Sequence, residues 1–348
     1  MAKAFVAMSG GVDSSAAALL TLQQGDQVTG VTLRLHDRRD GCGGEQDAED
    51  AAAVCAQLGI AHALWEEEEA FRRCVMDPFA RRYLEGLTPN PCIFCNRELK
   101  FGRLLERALA EGADCIVTGH YARVEQDPAT GRFLLKKAAF PQKDQSYVLY
   151  SLTQHQLSHL RLPLGGMEKE QVRLLAEQAG LPTAHKPDSQ DICFVPDGAY
   201  ARFLWDYTGH TPEPGDFIDM DGCILGQHAG LECYTIGQRR GIGLSGSHPY
   251  YVVAKNPRRN TVMLGEDEDL WQTELQAGEL NWIAFEGLSA PIRCAARTRY
   301  HQQETACTVY PQGEGVRVAF DAPVRAITPG QAVVFYQDEL VLGGGTIL

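Results

Sequence analysis

The stretch Ser9-Gly10-Gly11-Val12-Asp13-Ser14-Ser15 constrains the fold more than any other part of the chain. It follows an apolar run, residues 4–8, that reads as a buried strand, and it opens a helical pattern over residues 14–24 that stops at Gly25. Glycines at such a junction let the backbone approach a pyrophosphate. The N–H groups of the helix start and the serine hydroxyls then donate to its oxygens. No lysine follows as in G-x-x-x-x-G-K-[ST], so a Walker loop is excluded.

The same alternation continues. Residues 28–33, 61–65 and 115–118 read as strands, separated by helical stretches at 47–58, 71–83 and 97–111, the signature of a parallel α/β sheet. From about residue 208 the period changes. Segments 250–254, 261–264, 315–320 and 332–336 are short, alternating and bounded by Pro, Gly and Asn turns, with acidic residues 266–269 as a joint. The chain divides accordingly into residues 1–207, 208–272 and 273–348. Its 348 residues, 44% hydrophobic and 22% charged, suit two or three globular domains and exclude long disordered tracts, collagen-like repeats and coiled coils.

No apolar run approaches the roughly 20 residues of a membrane span, and no signal-peptide core is visible, which predicts a cytoplasmic protein with no membrane partner. The 11 cysteines fit reduced thiols in a chain too large to need a disulfide scaffold. With 45 acidic against 32 basic residues the net charge is -13, which at first argues against nucleic acid as a partner.

Two cysteine motifs carry further chemistry. In Thr88-Pro89-Asn90-Pro91-Cys92-Ile93-Phe94-Cys95-Asn96 a C-x-x-C pair opens a helix that also bears Arg97 and Lys100. A thiol in that setting has its thiolate favoured and suits a nucleophile or a metal ligand. A structural zinc half-site is the alternative, but it needs a second pair at the usual spacing, and the sequence has none. In Asp188-Ser189-Gln190-Asp191-Ile192-Cys193-Phe194 a lone cysteine before phenylalanine reads, taken alone, as a packing residue.

The first loop resembles the PP-loop of ATP pyrophosphatases, which cleave ATP between its α- and β-phosphates. Taken with Thr118-Gly119-His120-Tyr121-Ala122, Lys143-Asp144-Gln145-Ser146-Tyr147, Tyr234 to Gly241, Arg299-Tyr300 and Thr328 to Ala332, the blocks resemble the tRNA-specific 2-thiouridylases nearly end to end. That resemblance implies a Rossmann-like PP-loop domain, a small central β-rich domain and a C-terminal β-barrel domain contacting tRNA. The activity it implies is ATP-dependent replacement of the C2 oxygen of the wobble uridine by sulfur.

The matching positions imply that Ala7, Met8, Ser9, Gly10, Gly11, Val12, Asp13 and Ser14 hold the ATP phosphates, with Leu33 and Gly119 lining the adenosine site. Asn90, Pro91 and Cys92 match contacts to the target base. His120, Lys143, Asp144, Gln145, Arg299, Tyr300 and Gln331 match contacts to tRNA. Cys95 matches the nucleophile and Cys193 the cysteine that carries a persulfide received from a donor protein. ATP implies Mg²⁺. Some family members carry Asp where this chain has Cys92, so base catalysis there does not carry over. Cys92, Cys95 and Cys193 together could instead hold an iron–sulfur cluster.

Two other classes of function compete. A PP-loop synthetase acting on a small molecule accounts for the first loop but leaves both cysteine motifs idle. A non-catalytic RNA-binding protein fits the β-rich half but not the intact loop. Basic residues fall where tRNA contact is expected: Arg97 and Lys100, Lys136, Lys137 and Lys143, Arg239 and Arg240, Arg258 and Arg259, Arg297 and Arg299. They predict a basic stripe on an acidic body. The G-x-G-x-x-G match at 241–246 does not open a helix, His155 and His159 lack the glutamate of H-E-x-x-H, and residues 66–69 read as a solvated helix start. Cys42, Cys55, Cys74, Cys115, Cys223, Cys233, Cys294 and Cys307 read as structural.

Overall fold

The computed structural model describes residues 1–36, 44–188, 192–195, 198–244 and 248–348. Cys42, Ser189, Gln190 and Asp191, and the end of the glycine-rich 241–246 turn, lie outside the described residues.

The first half runs β1 (Lys3–Ala7), α1 (Val12–Gln23), β2 (Gln27–Arg34), α2 (Glu45–Leu58), β3 (Ala61–Glu66), α3 (Glu68–Phe71) and α4 (Asp77–Leu84). It continues through α5 (Pro91–Phe94), α6 (Leu104–Ala110), β4 (Cys115–Val117), the hairpin β5 (Ala122–Gln126) and β6 (Phe133–Lys137), α7 (Gln154–Ser158), β7 (Leu160–Arg161), α8 (Lys169–Gln178) and α9 (Tyr200–Thr208). Strands β3-β2-β1-β4-β7 form one parallel sheet in that order. Its strands are covered on both faces, as parallel sheets require. Ala4 and Val6 of β1 pack toward α1, α2 and α8, and Phe5 between them faces the opposite cluster with Leu104 and Leu105 of α6.

The helix expected over 97–111 starts earlier. Asn90 caps it, Pro91 occupies its first position, and the chain stays helical from α5 through a π-helical segment, Cys95–Arg103, into α6. A second π-helical segment, Arg72–Met76, joins α3 to α4. Wide turns of this kind are frequent at functional sites, and both segments supply side chains to the apolar cluster around Cys95.

Residues 215–265 form a small four-stranded sheet, β10-β11-β8-β9, from β8 (Gly215–Ile218), β9 (Ile224–His228), β10 (Tyr251–Asn256) and β11 (Thr261–Gly265). The last part contributes β12 (Trp271–Trp282), β13 (Ile292–Arg297), β14 (Thr305–Gln312), β15 (Gly315–Arg325), β16 (Ala332–Gln337) and β17 (Leu340–Ile347). Because β12 pairs with both β15 and β17, these six strands close into a barrel.

The hairpin β5–β6 does not join the first sheet. It extends the barrel instead, with Lys136 of β6 opposite Leu340 of β17. One apolar cluster accordingly runs from Phe5 and Ile116 through Tyr147 and Tyr150 to Val334, Tyr336 and Val341. The PP-loop sheet and the barrel therefore share a core.

Candidate active site

β1 ends at Ala7, and Met8 is held by its N–H donating to the Val31 carbonyl at 2.8 Å. Gly10 then turns the chain at φ +67, and a Cβ there would meet the Asp47 carbonyl oxygen at 2.4 Å, so only glycine fits. Gly11 caps α1 with no side-chain acceptor, which leaves the first-turn N–H groups of a 12-residue helix facing the loop. The Ser14 hydroxyl donates to the Gly11 carbonyl and accepts the Ser9 N–H at 3.2 Å. Gly119, just beyond β4, closes the other wall: a Cβ there would lie 2.7 Å from the carbonyl carbon of Asp13. The result is a backbone-lined anion cradle beyond the carboxyl ends of β1 and β4.

Asp13 accepts a hydrogen bond from the Tyr121 hydroxyl at 2.7 Å and pairs with Lys169. Lys169 is only 7% exposed and reaches a second carboxylate, Asp188, at 2.8 Å. Lys143 at 2.8 Å and Arg173 at 3.1 Å complete the set around Asp188. Burial alone would raise the Asp188 pKa, but the hydrogen bonds from Lys143 and Lys169 outweigh it and hold the carboxyl at about 2. Burial first, then the adjoining Asp13 carboxylate, pushes the Tyr121 hydroxyl far above its ordinary range, so it remains a donor. Lys169 carried no sequence signal, because at the start of a helix after Glu168 it reads as a solvated face. Tyr121 and Asp188 lay inside recognised blocks with no role attached.

The thiols lie at the neighbouring strand end. The Asn90 side chain accepts the Cys92 N–H at 3.0 Å, leaving Cys92 exposed and turning Cys95 into the protein, 8% exposed. Cys95 belongs to a cluster with Leu35, Phe71, Phe79, Leu99 and Phe194, and Cys193 and Leu33 pack against the same cluster. Phe194 anchors that arrangement. Its ring meets Phe71 edge-on at 5.6 Å and Phe79 at 5.4 Å, which holds Cys193 beside the cluster that contains Cys95. Leu33 and Leu35 follow from β2, the direct neighbour of β1, so the thiol cluster and the anion cradle occupy the same end of the sheet.

The chain matches the tRNA methyl transferase HUP domain family over residues 2–197, the tRNA methyl transferase PRC-barrel domain over 201–266 and the aminomethyltransferase beta-barrel domain over 272–347. It is 48% identical to the tRNA-specific 2-thiouridylase MnmA of Heliobacterium modesticaldum, covering 99% of this chain and 91% of that one. The chain belongs to the tRNA-specific 2-thiouridylase family. Relatives carrying the same name in Symbiobacterium thermophilum, 48% identical, and Clostridioides difficile, 45% identical, cover 99% of this chain and 92% and 98% of their own.

Cys95 lies in the cluster that Cys193 packs against, while Cys92 is exposed. Among the described residues no three His, Cys, Asp or Glu side chains gather closely enough to hold a metal ion. The three-thiolate set expected for an iron–sulfur cluster is therefore not assembled, because the helix entry turns Cys92 to solvent and Cys95 inward. Elsewhere, burial raises the Cys55 and Cys233 thiols to about 11, and Cys294 and Cys307 face each other at 3.7 Å inside the barrel.

The positions matched to 2-thiouridylase tRNA contacts fall into two groups. Some are built into the fold. Asp144, 6% exposed, accepts from the Ala138 N–H, the Ser146 hydroxyl and Arg297. Gln145 and Tyr121 exchange two hydrogen bonds. Arg299 donates to the Ile236 and Ala326 carbonyls and the Thr328 hydroxyl, tying the central sheet to the barrel. Gln331 donates to the Thr88 carbonyl at 2.7 Å, and the Pro329 carbonyl accepts the Thr88 N–H, so this barrel turn braces the segment that leads into Asn90.

Tyr300 and His120 are half-buried. Tyr300 meets Tyr147 edge-on at 6.0 Å, and burial raises its hydroxyl to about 12. His120 contacts the Thr118 hydroxyl at 2.8 Å, and burial, helped by Lys100, lowers its pKa to about 3, so the ring is neutral.

The expected basic stripe is partly neutralised. Lys136 pairs with Glu125 and Glu339, Lys137 with Glu304, Lys143 with Asp188, Arg297 with Asp144 and Glu304, and Arg97 with Glu98. Arg239, Arg240, Arg258 and Arg259 are exposed on the central unit. No helix among the described residues is long and apolar enough to cross a membrane.

Proposed function

We propose that this protein replaces the C2 oxygen of the wobble uridine of tRNA with sulfur, at the expense of ATP. The observation that carries the reading is the packing of Cys95 and Cys193 against one apolar cluster at the strand end that also bears the Ser9–Ser14 cradle. A uracil C2 carbonyl is a poor electrophile. Adenylation of its oxygen, with release of pyrophosphate, makes AMP a leaving group. The cradle N–H groups bind the phosphate oxygens and Leu33 and Gly119 line the adenosine side; Mg²⁺ bound to the triphosphate would neutralise phosphate charge there. Asn90, Pro91 and Cys92 contact the extruded base.

Sulfur arrives as a persulfide on Cys193, passed from a donor protein. Either the terminal sulfur attacks C2 and Cys95 then attacks the Cys193 sulfur to release thiouridine, or Cys95 attacks the persulfide first and liberates sulfide. Both routes end in a Cys95–Cys193 disulfide, which two electrons from an external thiol must reduce before the next turnover. No metal cluster is required by either. A reducing cytoplasmic setting suits this cycle. Residues 1–207 act as the catalytic unit, 208–272 as the central unit and 273–348 as the barrel that supports tRNA through Arg299, Tyr300 and Gln331.

Incubation with unmodified tRNA, ATP, Mg²⁺ and a sulfide or persulfide source, followed by nucleoside analysis, should yield 2-thiouridine together with one pyrophosphate per product. ATP turnover driven by a small molecule without tRNA would point to a synthetase instead.

A further inference from the structure

A cavity of about 190 Å³ opens at the seam between α5 and the barrel, lined on one side by Asn90 and Ile93 and on the other by Glu279, Leu280 and Asn281. Neither Cys95 nor Cys193 lines it, so it is not the place where sulfur meets the base. Its charged lining is Arg82, Arg97 and Glu279, two cations against one anion.

Three features show that the lining is arranged. Both guanidinium groups lie over the ring of Phe94, at 5.3 and 5.9 Å from its centroid, so a single aromatic side chain fixes two cations beside one opening. Glu279 adopts φ 48, which non-glycine residues rarely hold, where the register of β12 shifts between Gly278 and Asn281. From there its carboxylate accepts from Arg82 at 2.6 Å and from Thr346 at 2.7 Å, which sets the direction of the Arg82 fork.

We propose that this cavity is a phosphodiester site, in which Arg82 and Arg97 hold the tRNA backbone directly beside the extruded uridine. Arg82 gives one N–H to Glu279 and Arg97 one to Glu98, and the fork of each guanidinium has further donors with which to hold a phosphodiester oxygen. Asn90, shared between the base contacts and the cavity wall, places the two sites next to each other. Anchoring the flanking phosphate fixes the register of the loop and presents one nucleotide, not its neighbour, to the thiols. The proposal rests on the 2-thiouridylase reading above.

The test measures binding of an anticodon stem-loop RNA to the full chain as a function of salt. Arg97→Met strips the cavity of one cation and leaves the half-buried Glu98 without its ion-pair partner. Arg82→Met combined with Glu279→Gln removes the other without stranding a carboxylate. Each variant should weaken binding about tenfold and flatten the slope of log K against log salt by about one. A neutral methylphosphonate on one side of the target uridine should weaken binding to the unsubstituted protein by a similar factor, with no further loss in Arg97→Met. Unchanged slopes, or fully additive losses with the methylphosphonate on either side, overturn the phosphodiester site if the unsubstituted protein forms 2-thiouridine on the same RNA. If it forms none, the enzymatic reading itself is overturned.

Discussion

Lys169 grips both carboxylate oxygens of Asp13, at 2.7 and 2.8 Å, from a position almost wholly removed from solvent. The same ammonium touches Asp188, five residues before Cys193, so the Ser9–Ser14 loop and the segment leading to Cys193 meet at one side chain. Lys169→Met should leave the Asp13 carboxylate without its ammonium, while Asp188 keeps Lys143 and Arg173, and destabilise the fold by about 3 kcal/mol, the usual cost of removing one partner from a buried pair. Pyrophosphate release should fall together with thiolation. Thermal midpoints and a pyrophosphate assay check both effects.

The thiols should separate from binding. Cys95→Ser and Cys193→Ser should each abolish 2-thiouridine formation while tRNA binding stays within about twofold, since neither sulfur is a phosphate contact. Nucleoside analysis beside a filter-binding titration reads the two quantities. Retained thiolation in either variant would refute the two-thiol scheme.

Gly119 meets the cradle through bare backbone. Gly119→Ala would push a methyl group to 2.7 Å from the Asp13 carbonyl carbon and 2.8 Å from the Ser14 nitrogen, both backbone atoms that cannot swing away. Overpacking of this kind costs about 1–3 kcal/mol. Much of it should appear as a rise of about tenfold or more in the KM for ATP, with tRNA affinity unchanged.

His120 should give an acid-sensitive term. Its folded pKa, about 3, lies below the roughly 6.5 of a free imidazole, so the unfolded chain binds the extra proton first. The contribution is complete above pH 6.5 and declines as pH falls toward 3. His120→Gln should therefore flatten the fall of the urea midpoint between pH 6.5 and 4. Across pH 5.5 to 7.5 the imidazole resonances should show no titration.

How much of this was legible beforehand depends on the range of the interactions. The cradle was readable because its demands are local: Gly10 needs a positive φ, and a strand must precede and a helix follow. Cys193 was readable only through its block, since Phe194 acts through rings far away in sequence. Lys169 was hidden because a lysine at a helix start is ordinarily solvated, and nothing nearby announces that Asp13 and Asp188 will surround it. Arg299 and Gln331 were singled out as tRNA contacts. The structure also gives them work inside the protein, on carbonyls that no spacing rule could place. Arg82 and Glu279 lie on opposite sides of a seam between parts of the chain about 200 residues apart, beyond the reach of any motif.

The hairpin β5–β6 also bears on synthesis. Lys136 waits for Leu340, a partner made about 200 residues later, so the first unit emerges from the ribosome with a strand edge still unpaired. Any premature stop before β17 leaves that edge exposed and opens the barrel at the same point. Pairing of that edge and closure of the barrel thus both wait on the eight residues of β17.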